Sequence, residues 1–297
     1  MKVIVTGSNG FVAGSIIAQA PDDWEIHGIA RTEQIGNENN VTYHQLDLLD
    51  FEKLEAILEE IKPDAVIHTA AMANIDFCEA NKEAAEKTNA GVTDTLARLC
   101  AKIGAKLVFC STDTVFDGKK GNYSENDYPG AVNFYAETKI KAEQIVLLAS
   151  NKNVVARLSL VMGLSVKGKG NSFLADMLEK LQKGEEMKFP ENEIRTPVDV
   201  ISLGSALIEL AGNDFAGIIH LAGNTGINRY KMAQEIAREL NFSEAVIIPV
   251  NSNAMPGRAP RPDNATMDNT LAKKILKTPM KSLSEGLALT LNFKTEI

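Results

Sequence analysis

The stretch that most constrains this chain is its first fourteen residues. Lys2-Val3-Ile4-Val5-Thr6 is a short β-branched run that predicts a buried strand. Gly7-Ser8-Asn9-Gly10 breaks it as a turn, and Phe11-Val12-Ala13-Gly14-Ser15-Ile16-Ile17-Ala18 continues as an apolar helix. Strand, glycine turn and helix in this order make a phosphate cradle. The glycines let backbone approach a pyrophosphate, and the free N–H groups of the first helical turn point at the anion. Ala13 is small enough for close helix–strand packing. Glycine-rich turns also serve only as turns; the position between an apolar strand and a helix favours the nucleotide reading.

The chain has 297 residues, enough for one large core or a core and a half. No run of eighteen apolar residues occurs, so no membrane span is expected. Met1 leads straight into a strand, which predicts no signal peptide. The three cysteines, Cys78, Cys100 and Cys110, lack metal-ligand or redox spacing; an odd, unpaired set fits reduced thiols and a cytoplasmic location. No metal site is expected. The net charge of −8 argues against a general nucleic-acid binder, yet local basic groups can still hold an anionic substrate.

Trp24 to Ala30 reads as a second strand, followed by Arg31-Thr32. In dinucleotide folds an acid at this point holds the ribose 2′-hydroxyl of NAD, whereas an arginine accommodates the 2′-phosphate of NADP. No acid closes this strand and Arg31 is present, which favours NADP and leaves NAD as the alternative. A third strand over Val41–Leu46 ends at Asp47, whose carboxylate either accepts from an adenine amino group or caps the helix over Asp50–Ile61. Ala65–His68 is a fourth strand, with His68 expected as a core histidine. Thr69-Ala70-Ala71 follows, small enough for a cofactor to lie close. One helix is expected from Asp76 and Glu79 through Leu99, carrying Asn89 as a backbone-binding or relay residue.

Lys106–Cys110 is the fifth strand. Ser111-Thr112-Asp113 crowd its end, where open α/β sheets bind ligands. A helix opens at Asn133 and runs to about Ala149. Tyr135 and Lys139 on it are four residues apart and share a face. An ammonium beside a phenol favours phenolate, so this spacing predicts a tyrosine pKa lowered from about 10 toward neutrality, suited to proton exchange.

These residues together resemble an extended short-chain dehydrogenase/reductase. The resemblance rests on Thr6-Gly7-x-x-Gly10-x-x-Ala13, Asp47-Leu48, Thr69-Ala70-Ala71, Asn89, Ser111-Thr112 and Tyr135-x-x-x-Lys139. Within it, Ser111-Thr112-Asp113-x-Val115-Phe116-Asp117-Gly118, Arg195-Thr196-Pro197-Val198-Asp199 and Arg258-x-x-Arg261-Pro262 are similar to the dTDP-4-dehydrorhamnose reductase group. Leu160 departs from it, standing where a tryptophan is usual.

The resemblance implies catalytic roles for Thr112, Tyr135 and Lys139. Thr112 would hold the substrate oxygen and Tyr135 exchange a proton with it. Lys139 would hold the nicotinamide ribose. It implies a cofactor site from Gly7, Asn9, Gly10, Phe11, Val12, Arg31, Asp47, Leu48, Thr69, Ala70, Ala71, Asn89, Ser111, Tyr135 and Lys139. Asp113, Val115, Phe116, Arg195, Arg258 and Arg261 would face the substrate, the arginines pairing with a diphosphate through forked hydrogen bonds or else standing as solvated surface residues.

The expected fold is α/β, a Rossmann-type doubly wound parallel sheet with a smaller interleaved α/β lobe. Residues 1–160, with parts of 190–220 returning, form the dinucleotide-binding domain, and 161–297 are mainly the substrate lobe. In that second half, strands are expected over Val154–Leu158, Gly217–Leu221 and Ala245–Val250. Helices are expected over Ser172–Lys183, Val200–Leu210 and Asn228–Leu240, with a candidate lid over Gly163–Gly170. The implied activity is NADPH-dependent reduction of a keto group on a nucleotide-linked deoxysugar. A homodimer remains open. An epimerase with retained NAD and a non-catalytic NADP-binding regulatory subunit are the alternatives. A sugar dehydratase is disfavoured, because Asp113-Thr114 replaces the acid pair that elimination needs.

Overall fold

The structure is a computed structural model, and it describes residues 1–33, 40–167, 172–242 and 244–293. In chain order the first half runs β1 (Lys2–Thr6), α1 (Phe11–Gln19), β2 (Glu25–Ala30), β3 (Val41–Gln45), α2 (Phe51–Ile61), β4 (Ala65–His68), α3 (Ile75–Ala80), α4 (Lys82–Glu86), α5 (Val92–Ile103), β5 (Lys106–Thr112), α6 (Phe134–Ala149) and β6 (Val154–Leu158). The second half runs β7 (Val161–Met162), α7 (Phe173–Lys183), β8 (Met187–Pro190), β9 (Ile194–Arg195), β10 (Val198–Asp199), α8 (Val200–Gly212), β11 (Gly217–Leu221), β12 (Ile227–Asn228), α9 (Arg229–Glu239), β13 (Ile247–Val250), α10 (Thr270–Ile275) and α11 (Leu283–Asn292).

Seven strands form one parallel sheet in the order β11-β6-β5-β4-β1-β2-β3. The order reverses between β1 and β4, and there the two flanking connections diverge to open a crevice at the carboxyl ends. Adjacent residues of each strand point to opposite faces, so both faces must be covered. Val3 and Val5 pack with Ile16 and Ile17 of α1 and Leu203 and Leu207 of α8. Ile4 packs the other way, with Leu54 and Leu58 of α2, Leu96 of α5 and Val146 of α6. Burying each such side chain contributes about 1.5–3 kcal/mol. The last strand of the sheet and one covering helix therefore come from the second half of the sequence. A separate core in that half joins Leu174, Met177 and Leu181 of α7 to Met232 and Ile236 of α9 and Leu287 of α11.

The helix expected through Leu99 is instead α3, α4, a π-helical segment at Lys87–Gly91, and α5. Asn74 caps α3 by accepting from Phe77 N at 2.9 Å. Asn81 then interrupts the helical backbone. The wider turn at 87–91 turns Asn89 inward, where it is buried and held by three hydrogen bonds. Asp50, not Asp47, caps α2, accepting from Lys53 N at 3.3 Å. Asp47 instead accepts from Leu49 N at 3.0 Å. The strand expected from Ala245 begins at Ile247. Of the candidate lid over 163–170, residues 168–170 lie outside the described residues.

Candidate active site

At the crevice, a cavity of about 530 Å³ is lined by Gly7, Asn9, Gly10, Phe11, Val12, Arg31, Asp47, Leu48, Thr69, Ala70 and Ala71. Thr32, Met72 and Thr88 also line it and were not singled out in the sequence. Gly10 caps α1 without a side chain, so the first-turn amides of α1 face this space with no helical acceptor. Gly7 has φ +71°, and a Cβ there would come within 3.0 Å of Ala70 Cα. Only glycine lets β1 turn this close to the chain after β4. Asn9 ties the turn to the chain just after β2, donating from Nδ2 to Thr32 Oγ1 at 2.5 Å. Arg31 is exposed at the end of β2. A bare-backbone turn, free helical amides and a strand-end arginine fit a dinucleotide diphosphate with a 2′-phosphate.

Asn89 does not line the cavity but supports its wall. Its Oδ1 accepts from Met72 N at 2.8 Å, and its Nδ2 donates to Met72 O at 3.2 Å and to Thr138 Oγ1 at 3.0 Å. Its amide is thereby committed to the chain after β4 and to α6. His68 is buried, with Nδ1 2.7 Å from Thr6 Oγ1 and no hydrogen-bond partner at Nε2. Burial, reinforced by Lys139, pushes its pKa down to about 3, so it is a neutral core histidine.

Thr112 ends β5, and Tyr135 and Lys139 stand on the first turns of α6, whose start is capped by Asn133 accepting from Ala136 N at 2.9 Å. Tyr135 is 8% exposed, and its phenol lies close enough to the Thr112 side chain and the Asp113 carboxylate for both to act on its proton. Lys139 is 2% exposed; its Nζ donates to Cys110 O at 2.7 Å and lies 4.0 Å above the Phe109 ring. Burial pulls its pKa down to about 8, while Cys110 and Glu143 favour its charged form. The tyrosine differs from expectation. Burial first and the Asp113 carboxylate next push its phenol above the ordinary 10, and the nearby Thr112 hydroxyl only partly opposes this. Helical spacing placed the lysine near, but the phenol packs against Cys78 and Ala85 and faces a carboxylate.

Asp113 is buried. Its Oδ1 accepts from Thr112 at 3.3 Å and its Oδ2 from Ser159 at 3.3 Å, with Arg195 Nε at 3.6 Å. Burial raises its pKa, and Arg195 opposes the rise. Val115 and Phe116 are fully buried behind the strand end, where Phe116 stacks on Tyr123 at 4.1 Å. Arg195 is also buried; it donates to Ile194 O at 2.8 Å and to Pro262 O at 2.9 Å. Arg261 grips Asp76 through two bonds of 2.6 and 2.8 Å. Arg258 is partly exposed and lies 3.6 Å from Glu193, a buried carboxylate also approached by Arg195 and by Arg229. Arg195 and Arg258 thus converge on Glu193, while Arg261 is held by Asp76 of α3.

Ser111 is buried, and its hydroxyl donates to Glu143 Oε1 at 2.5 Å. Glu143 pairs with the buried Arg157 at 2.7 Å. Neither partner was singled out in the sequence, although Glu143 follows Lys139 by one helical turn. Among the described residues no cluster of three metal-ligating side chains occurs, and no helix is long and apolar enough to cross a membrane.

Methionine adenosyltransferase 2 subunit beta of Rattus norvegicus is 29% identical over 274 residues, covering 90% of this chain and 80% of that protein. The dTDP-4-dehydrorhamnose reductase of Mycobacterium tuberculosis (strain CDC 1551 / Oshkosh) is 28% identical over 296 residues, covering 98% and 92%. In fold, the chain matches the crystal structure of dTDP-4-dehydrorhamnose reductase from Bacillus anthracis str. Ames in complex with NADP, with a TM-score of 0.85, 24% identity and 98% of each chain covered. Residues 1–295 match the family described as RmlD substrate binding domain, and the chain belongs to that family.

Proposed function

We propose that this chain is an NADPH-dependent reductase of a keto group on a nucleotide-linked deoxysugar, with NAD as the alternative cofactor. The observation that carries this reading is the approach of the buried Tyr135 phenol to the Thr112 side chain at the end of β5, in the sheet whose neighbouring strands β1 and β4 carry the glycine cradle and the small residues that line the cavity. In this reading residues 1–160, completed by α8 and β11, hold the cofactor in the cytoplasm, and 161–297 supply most of the substrate side.

NADPH, when bound, supplies the hydride. The first-turn amides of Phe11 and Val12 would hold its diphosphate, Arg31 its 2′-phosphate, Asp47 its adenine and Lys139 its nicotinamide ribose. Thr112 holds the substrate carbonyl oxygen. Tyr135 keeps its proton at neutral pH, because its pKa is raised, and delivers it to that oxygen as negative charge develops. Placement of the carbonyl between the two hydroxyls accounts for much of the rate. NADPH consumption across a panel of nucleotide-linked 4-keto-sugars tests the reading; turnover of at least one is expected, and none would sink it.

The match to methionine adenosyltransferase 2 subunit beta favours a second reading, in which the chain binds NADP as a regulatory subunit of a larger enzyme. Stable co-purification with an adenosyltransferase, together with no keto-sugar reduction, would establish it in place of the first.

A further inference from the structure

The site's known parts leave one buried charge pair without a role. Glu143 lies on α6 one turn beyond Lys139 and is 3% exposed. Both of its oxygens accept from Arg157 Nε, at 3.0 and 3.2 Å, and Oε2 accepts also from Nη2 at 2.7 Å. The remaining strong contact is the Ser111 hydroxyl at 2.5 Å. Ser111 is the residue between Cys110, whose carbonyl receives Lys139, and Thr112, whose side chain stands near the Tyr135 phenol. One carboxylate therefore grips the centre of the strand segment to which both halves of the site are attached.

We infer that Glu143 is a positioning residue, fixing the Cys110–Thr112 strand end through Ser111 and serving as counter-charge to Lys139. The inference rests on the reductase reading for its consequence in turnover, but its physical content does not depend on it. A buried ion pair replaceable by apolar side chains is seldom a stabilising device in itself, so a hydroxyl contact built onto it calls for another purpose. The titratable groups that interact with Lys139 are His68 on β4, Cys110 on β5 and Glu143 on α6 itself, with Arg157 of β6 paired to that Glu143. His68 is neutral, and burial holds Cys110 up at about 12 as a thiol. Asp113 is buried and faces Tyr135, Ser159 and Arg195. Glu143 is thus the carboxylate that favours the Lys139 ammonium.

The test is Glu143→Gln in the full chain, with the Lys139 amine titrated directly by NMR on isotope-labelled lysine. The variant keeps an oxygen for Ser111 and removes the charge. The Lys139 midpoint is expected to move down by roughly one pH unit, and the alkaline limb of kcat/KM with it. Glu143→Asp, which keeps the charge, should restore the midpoint. An unmoved midpoint in a folded Glu143→Gln overturns the inference. If that variant does not fold, Glu143→Gln/Arg157→Gln, which leaves no unpaired buried cation, carries the same measurement. Failure of both to fold makes the pair a folding element only and also overturns it. Because the titration needs no substrate, a shifted midpoint without keto-sugar reduction refutes the reductase reading alone. Reduction with an unmoved midpoint refutes this inference alone.

Discussion

Lys139, one helical turn from Tyr135, donates its ammonium proton to the carbonyl oxygen of Cys110 at 2.7 Å. The cation is thereby anchored to β5, the strand that ends in Thr112, and the three groups are held as one unit. The phenol's own proton is governed by its burial and by Asp113.

Tyr135→Phe removes the proton donor and leaves the cradle of β1 and α1 intact. Turnover should fall at least about a hundredfold, while NADPH binding, followed by cofactor fluorescence, persists. An active Phe variant removes Tyr135 from the mechanism.

Lys139 gives opposite signs for activity and stability with pH. Its folded pKa of about 8 lies below the ordinary 10.5, so between these values the unfolded chain holds one proton more than the folded chain. In that window the lysine makes stability rise with pH, by up to about 1.4 kcal/mol per unit. Activity should fall over the same range as the ammonium is lost. Denaturant melts of wild type and Lys139→Met across the window should differ by that slope, and kcat/KM of the wild type should decline above about pH 8.

Arg31→Ser removes the cation at the end of β2. The KM for NADPH should rise by about tenfold or more, and that for NADH should scarcely change. Equal effects on the two cofactors in steady-state assays would remove Arg31 from 2′-phosphate recognition.

Gly7→Ala forces a side chain into a left-handed backbone at φ +71° and against Ala70. A loss of about 1–3 kcal/mol in stability and weakened NADPH binding are expected, read by thermal melting and cofactor titration.

The arginines should separate by their partners. Arg258, partly exposed and only loosely engaged with Glu193, should on replacement by Ala raise the KM for the nucleotide sugar about tenfold with little change in melting temperature. Arg261→Ala removes both guanidinium bonds from Asp76, leaving it the Ala259 amide, and should cost about 1–3 kcal/mol, seen as a lower melting temperature and faster proteolysis around residues 256–262.

Local periodicity made the sheet legible. Alternating apolar strands and helices announce themselves within a dozen residues, and so does a glycine turn between them. Tyr135 and Lys139 were legible for the same reason, since one helical turn separates them. What could not be read joins residues far apart in the chain. Arg261 meets Asp76 across 185 positions, and Ser111 meets Glu143 across 32. The phenol's pKa lies above what the helical spacing predicts, because spacing counts the neighbouring lysine but not the burial and carboxylate around the tyrosine. The π turn at Lys87–Gly91 escaped because it differs from an α-helix by a single hydrogen-bond register, chosen here by Asn89's partners.

Helix α8 lies against α1, where Ser15 Oγ donates to Val200 O at 2.7 Å and Gln19 Nε2 to Ile201 O at 3.1 Å, while β11 closes the sheet beside β6. A gene fragment stopping near residue 160 would strip this cover, leaving β6 as a raw hydrogen-bonding border and α1 with a bare apolar flank, an invitation to aggregation. The two halves therefore cannot be traded between relatives like cassettes. New substrate preferences on this scaffold must arise by substitution in place.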